Sequence, residues 1–239
     1  MPKKENVRQM FDSIAPDYDR LNHLMSMNVD KGWRRKALKR IVDTDGPLEV
    51  LDLACGTGDF SIAIARRMEK RGIMGHVAGV DLSDGMLAVM KEKVAAAGLQ
   101  ERISMAQGDG ENLPFADGTF DRVTIAFGIR NFEHREAGLR EMLRVLRPGG
   151  RLVILELSVP ENRIVRWFYN RYFLHILPWI GGSISGDRAA YNYLPASVVK
   201  FPGRKAFLKT LQDCGFRAAS HKAFTFGICR MYTGEKVIN

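Results

Sequence analysis

The sequence predicts an α/β fold, a doubly wound parallel sheet with helices on both faces, from three observations. Short apolar runs alternate along the chain with segments of helical periodicity. Three of these runs carry an acid: Asp52 lies inside the first, Asp81 closes Val77-Ala78-Gly79-Val80-Asp81, and Asp109 closes Ile103-Ser104-Met105-Ala106-Gln107-Gly108-Asp109. The first run breaks into Cys55-Gly56-Thr57-Gly58-Asp59, whose glycines let the backbone approach a ligand, and a helix from Ser61 to Met68 presents its N-terminus there.

Each element has a local reason. Glu5 to Ala15, Asp17 to Met27 and Asp30 to Ile41 read as helices ahead of the first strand, punctuated by Pro16 and Asn28. Val50 to Ala54 is apolar apart from Asp52, as a strand covered on both faces requires. The helix after the second strand spans Asp84 to Ala97, with Ser83 as its N-cap and Gly98 as its stop. Asp121 to Phe127 is a fourth strand, with a helix from Arg135 to Val145 behind it. Leu146-Arg147-Pro148-Gly149-Gly150 reads as a tight turn into a fifth strand, Arg151 to Glu156. After an aromatic insertion, Phe207 to Cys214 is a helix, and Phe216 to Ala223 with Phe226 to Thr233 forms a closing antiparallel pair.

Residues 1–239 fit one domain, with 1–45 as an N-terminal helical cap and 160–200 as a basic, aromatic lid. Cys55, Cys214 and Cys229 lack CxxC spacing and read as buried thiols in a reducing compartment, so neither a zinc site nor a disulfide framework is expected. No apolar signal core follows the first residues, which places the chain in the cytoplasm. The net charge of +9 is uneven: residues 1–150 hold 23 Lys and Arg against 22 Asp and Glu, residues 151–239 hold 13 against 5. A basic C-terminal third suits nucleic acid or an anionic bilayer, or is an ordinary solvated surface. The segment from Ile164 to Ile180 favours the bilayer, because it gathers Trp167, Phe168, Tyr172 and Trp179, while Arg171 and His175 interrupt any membrane span. Such a helix can lie at headgroup level on the inner face of the cell membrane, cover an apolar substrate, or pack as the core of a subdomain.

Two cofactor classes use a strand, a glycine turn and a helix. A dinucleotide wants G-x-G-x-x-G, so that its phosphates lie against bare amides. Here the third position is Ser61, and Asp52 and Asp59 would repel a polyphosphate. Carboxylates suit S-adenosylmethionine, which carries an ammonium and a sulfonium and leaves as S-adenosylhomocysteine. Asp81 is placed to take both ribose hydroxyls, and Asp109 the adenine amine. Singly, each acid could be a helix N-cap, Asp59 included.

Three segments carry a family resemblance: Met10-Phe11-Asp12-Ser13-Ile14-Ala15-Pro16-Asp17-Tyr18-Asp19-Arg20-Leu21-Asn22, Leu53-Ala54-Cys55-Gly56-Thr57-Gly58-Asp59 and Phe127-Gly128-Ile129-Arg130-Asn131. Through them the whole chain resembles the class I methyltransferases that methylate a ring carbon in ubiquinone and menaquinone biosynthesis, and is most similar to the demethylmenaquinone methyltransferases. The resemblance implies a seven-stranded class I sheet with N-terminal helices and a helical insertion between strands five and six. It maps cofactor contacts onto Thr57, Asp81, Asp109 and Gly110, beside the Gly56 and Gly58 turn. Some members have a serine at Ala126, so one cofactor hydrogen bond is lost here; many have asparagine and alanine at Asp109 and Gly110, a change an adenine amine accepts. The implied reaction converts a prenylated demethylquinol, demethylmenaquinol, into menaquinol. Another small aromatic or lipid acceptor is the rival, and a membrane-attached scaffold retaining the fold a third reading. Spacing leaves benzoquinol against naphthoquinol, and monomer against homodimer, open.

The chemistry narrows the remaining candidates. Methyl transfer from a sulfonium needs a nucleophile about 3–3.5 Å from the methyl, so positioning supplies much of the rate. A ring carbon attacks only once the neighbouring phenol loses its proton, which calls for a cation and a base. Arg130, after strand four, can hold the phenolate, and Asn131 can orient the other ring oxygen; a surface salt bridge is the plainer role for Arg130. Tyr18, Asp19 and His23, or a water they hold, are candidates for the base, although His23, His134 and His175 singly read as structural. Methylation of a nucleic-acid amine would want an Asn or Asp, two prolines and an aromatic after strand four to stack a flipped base. Ala126-Phe127-Gly128-Ile129 stands there instead, which argues against a nucleic-acid partner.

Overall fold

The computed structural model describes residues 3–26, 28–172 and 188–238. Seven strands build its sheet: β1 (Leu48–Leu53), β2 (Gly75–Asp81), β3 (Ile103–Gln107), β4 (Phe120–Ala126), β5 (Leu146–Leu157), β6 (Arg217–Phe224) and β7 (Cys229–Glu235). Their order is β3-β2-β1-β4-β5-β7-β6, parallel from β3 to β5, with β7 antiparallel to both of its neighbours.

Alternation along the strands explains the two layers. Val50, Val77, Val153 and Leu155 face α3 (Val29–Ile41), α4 (Asp59–Lys70) and α5 (Asp84–Ala97), where Ile41, Ile64, Met68 and Met90 close the core. Leu51, Leu53, Val80, Leu152 and Ile154 face the opposite side, covered by Leu139 and Met142 of α6 (Arg135–Val145) and by Phe207 and Leu211 of a later helix, Arg204–Asp213. Each such side chain contributes about 1.5–3 kcal/mol when removed from water, so neither face of the parallel strands can stay exposed.

Several predicted boundaries move: β1 starts early, at Leu48, as do α4 at Asp59 and the later helix at Arg204, and three further shifts concern the sheet. β3 stops at Gln107, leaving Asp109 in the loop beyond it. The Pro148-Gly149-Gly150 turn lies within β5 as a bulge: Phe120 pairs with Leu146 but Arg122 with Arg151, so the residues between loop out. β7 begins at Cys229 because Thr225, Phe226 and Gly227 take left-handed φ values of 44°, 56° and 90°, which no strand accommodates. Ser83 does cap α5, its Oγ accepting the Met86 N–H at 3.1 Å, and Gly98 ends it with φ 68°.

The N-terminal helices α1 (Lys4–Ile14) and α2 (Tyr18–Met25) break at Pro16 and lie across the carboxyl ends of the strands. Asp12 ties them down: its Oδ1 accepts from Ser83 Oγ at 2.6 Å and from the Gly85 N–H at 3.1 Å. In the insertion, α7 (Arg163–Arg171) is capped by Asn162, whose Oδ1 accepts the N–H groups of Ile164 and Val165, and α8 spans Arg188–Lys200. The rest of the aromatic segment, with His175 and Trp179, lies outside the described residues. None of the described helices is long and apolar enough to cross a membrane.

Candidate active site

The strand order reverses between β1 and β4, and the crevice outside their carboxyl ends is where open α/β sheets bind ligands. Ala54 and Phe127, which leave these two strands, both have left-handed φ, 50° and 63°. For a phenylalanine that is an uncommon, costly conformation; Trp33 packs on its ring at 6.2 Å and the Arg34 guanidinium sits 5.6 Å from it. Gly128 allows the two loops to touch, since a Cβ there would stand 2.6 Å from the Ala54 Cβ. The resulting cleft is lined by the ends of β1, β2 and β4 and by α1, with Tyr18, Gly56, Asp81 and Phe127 on its walls.

Five of the predicted cofactor residues line this cleft: Gly56, Asp81, Asp109, Gly110 and Ala126. Asp81 Oδ2 accepts the Gly56 N–H at 2.8 Å and Oδ1 accepts the Ser83 N–H at 2.9 Å, so one carboxylate fixes the glycine turn and the start of α5. Burial raises its pKa against those bonds. A carboxylate has about four acceptor positions, and the two left over suit a pair of vicinal hydroxyls. Asp109 is less free than its place suggested: Lys4 Nζ lies 2.6 Å from Oδ2, and the Glu111 N–H donates to Oδ1 at 2.9 Å. Gly110 leaves room for Phe132, whose Cζ would lie 2.6 Å from an added Cβ.

Asp52, Thr57 and Gly58 stand behind the cleft rather than on its wall. Asp52 is 1% exposed, and its Oδ2 accepts from Ser61 Oγ at 2.5 Å, on the helix that follows the turn. Burial pushes its pKa up to about 7, against the Ser61 bond. Thr57 Oγ1 donates to Asp19 Oδ1 at 2.5 Å, and Gly58 begins α4 with φ 82°, packed against Met90. The strand acids therefore divide into one that faces the cleft and one that braces the turn. Alternation along β1 is the signal that sequence reading passed over.

The catalytic candidates divide as well. Tyr18 and Asn131 reach the cleft. Burial raises the Tyr18 pKa against its Asn22 bond and the charge of Arg130, so at neutral pH it is a hydrogen-bond donor rather than a base. Asp19 is paired with Lys93 at 2.5 Å, and the same Lys93 holds Asp59 at 2.5 Å, so α2 is stitched to α4 and α5. His23 lies on α2, with its side chain outside the described residues. His134 is a surface residue bonded to Glu111. Arg130 is not a surface salt bridge: it is 7% exposed, with Nη1 2.8 Å from Glu156 Oε1. Tyr193 of α8 donates to Asn131 Oδ1 at 2.9 Å. Glu156 and Tyr193 were missed, although Glu156 is an acid at the carboxyl end of a parallel strand, the same signal that marked Asp81.

Residues 1–236 match the ubiE/COQ5 methyltransferase family. The chain belongs to that family. It is 50% identical over 234 residues to the ubiquinone/menaquinone biosynthesis C-methyltransferase UbiE of Geobacter sulfurreducens, covering 98% of this chain and 90% of that protein. It is 43% identical to the demethylmenaquinone methyltransferase of Bacteroides fragilis, covering 98% and 94%. Among solved structures, a SAM-dependent methyltransferase from Aquifex aeolicus shares the fold with a TM-score of 0.61 at 19% identity, over 85% of this chain and 89% of that one. The expected class I methyltransferase sheet is thus the one observed, with its seven strands and its insertion between β5 and β6.

Proposed function

We propose that this ubiE/COQ5 family member transfers a methyl group from S-adenosylmethionine to a ring carbon of a prenylated demethylquinol, turning demethylmenaquinol into menaquinol. One juxtaposition carries the reading: the consecutive pair Arg130 and Asn131 follows β4, with Asn131 on the wall of the Gly56 and Asp81 cleft and Arg130 buried next to it. The cofactor supplies an electrophilic methyl and, as S-adenosylhomocysteine, a neutral leaving group. Asp81 would hold the ribose hydroxyls with its spare acceptor positions, and Asp109 the adenine amine. Arg130 would stabilise the ring phenolate without ever losing its own proton, and Asn131 would fix the second ring oxygen. With Asp19 committed to Lys93 and Tyr18 protonated, the phenolic proton leaves through water.

The acceptor's prenyl tail favours peripheral contact with an anionic membrane from the cytoplasmic side. On α7, Ile164 (71%), Trp167 (58%) and Phe168 (63%) are exposed on a helix that also carries Arg163, Arg166 and Arg171. That combination suits a headgroup layer. The test is incubation of the purified chain with labelled S-adenosylmethionine and demethylated naphthoquinols and benzoquinols, followed by mass spectrometry of the rings. Label on a ring carbon supports the reading and names the ring; no label on either class overturns it. Arg130→Ala should lower turnover by at least ~100-fold.

A further inference from the structure

Glu156, next to last in β5, has no exposed surface, and it is bonded almost wholly to the loop after β4. Its Oε1 lies 2.8 Å from Arg130 Nη1 and accepts the Leu157 N–H at 2.8 Å, while Oε2 accepts the backbone N–H of Arg130 at 3.1 Å. One carboxylate thus grips Arg130 by both main chain and side chain. Two other contacts complete the hold: Nε donates to Ser197 Oγ at 3.2 Å, and Nη1 also donates to the carbonyl of the left-handed Phe127. A guanidinium has five N–H groups, and these bonds use the three on Nε and Nη1. Nη2 makes no hydrogen bond among the described residues. Among the described residues it is the part of the guanidinium whose N–H groups are left over. The neighbouring Asn131 is arranged alike, because Tyr193 occupies its Oδ1 and leaves the amide N–H groups to donate.

We propose that Glu156 is a positioning residue, which aims Arg130 Nη2 at the acceptor's ring oxygen and moderates the positive charge that oxygen meets. The inference rests on the phenolic acceptor proposed above. An Arg130 without its partner would still be cationic, but free to turn, and its uncompensated charge would favour the phenolate more strongly. Orientation and charge therefore separate in experiment: losing the carboxylate lowers turnover and moves the acid limb of its pH profile towards lower pH. The other titratable groups nearby do not mimic that movement. Tyr18, Tyr169 and Tyr193 around the guanidinium, and Cys229 and Tyr232 behind Glu156, all have pKa values raised by burial, and Arg135 stays cationic across the range.

The test compares the full-length protein with Glu156→Gln and Glu156→Asp, measuring kcat and KM for a demethylquinol from pH 6 to 9, and cofactor affinity by calorimetry. Glu156→Gln should cut kcat about 30-fold or more, leave cofactor affinity within about threefold, and shift the half-maximal pH of kcat down by about one. Glu156→Asp keeps the charge but shortens the reach, so kcat should fall with the half-maximal pH unchanged; this variant decides the matter if the glutamine form does not fold. Wild-type kcat in either variant overturns the assignment, as does a fall in kcat for Glu156→Gln with no movement of the pH profile. A wild-type protein that methylates no quinol overturns the phenolic reading itself, before any variant is compared.

Discussion

Replacing Asp52 by asparagine removes an acid that the fold has sealed against α4. The carboxyl is 1% exposed and bonded to Ser61, and burial lifts its pKa from 3.8 to about 7. Because the folded pKa lies above the unfolded one, the protonated group favours the folded state. That stabilisation is complete below about pH 4 and is lost as pH rises towards 7. At about 1.36 kcal/mol for each pKa unit, the whole effect is about 4 kcal/mol, more than half of it between pH 5 and pH 8. Against a total stability of roughly 5–15 kcal/mol this is a large fraction. An asparagine keeps an oxygen for the Ser61 hydroxyl and cannot ionise. Urea unfolding of both proteins at pH 5, 6, 7 and 8 should therefore show the wild type losing roughly 2–3 kcal/mol more than Asp52→Asn across the interval. Contributions from other groups, buried Asp81 among them, largely cancel in that difference. Parallel pH dependences in the two proteins would refute the reasoning.

Gly110→Ala forces its new Cβ to within 2.6 Å of Phe132, so it should cost about 1–3 kcal/mol in thermal unfolding, and Phe132→Leu in the same chain should recover most of it. Equal instability with and without the second change would mean that Phe132 is not the obstacle. Lys93→Met removes the cation shared by Asp19 and Asp59, whose side chains are 31% and 27% exposed; about 1 kcal/mol should be lost, less in high salt, with faster proteolysis in α1 and α2. An unaltered digestion pattern would show that the N-terminal helices are held elsewhere. Co-sedimentation with anionic vesicles should be seen at low salt and reversed by added salt, and it should weaken when Ile164, Trp167 and Phe168 are all changed to serine. A protein that stays in the supernatant at low salt has no such membrane contact.

Much of the site was legible because its signals are local. The glycine turn, the Ser83 cap and the Gly98 stop act within a few residues of themselves, and all three stand where expected. The acids at strand ends were legible as positions and not as orientations. Asp52 and Asp81 were assigned alike, yet one turns to Ser61 behind the turn and the other to the cleft. Arg130 was placed correctly after β4, but its immobilisation by Glu156 depends on a strand 26 residues further on. Lys4, which occupies Asp109 across 105 residues, could not be found from any local pattern.

By itself the sequence determined the strand and helix periodicity, the parallel α/β class, the glycine turn and the family that its motifs share, because each follows from short-range sterics or from recurring residue types. The tertiary structure alone decided which carboxylates remain available to a ligand and which N–H groups of Arg130 are left over. A hydrogen bond consumes a donor or acceptor wherever its partner sits in the chain, and only the packed sheet brings those partners within 3 Å.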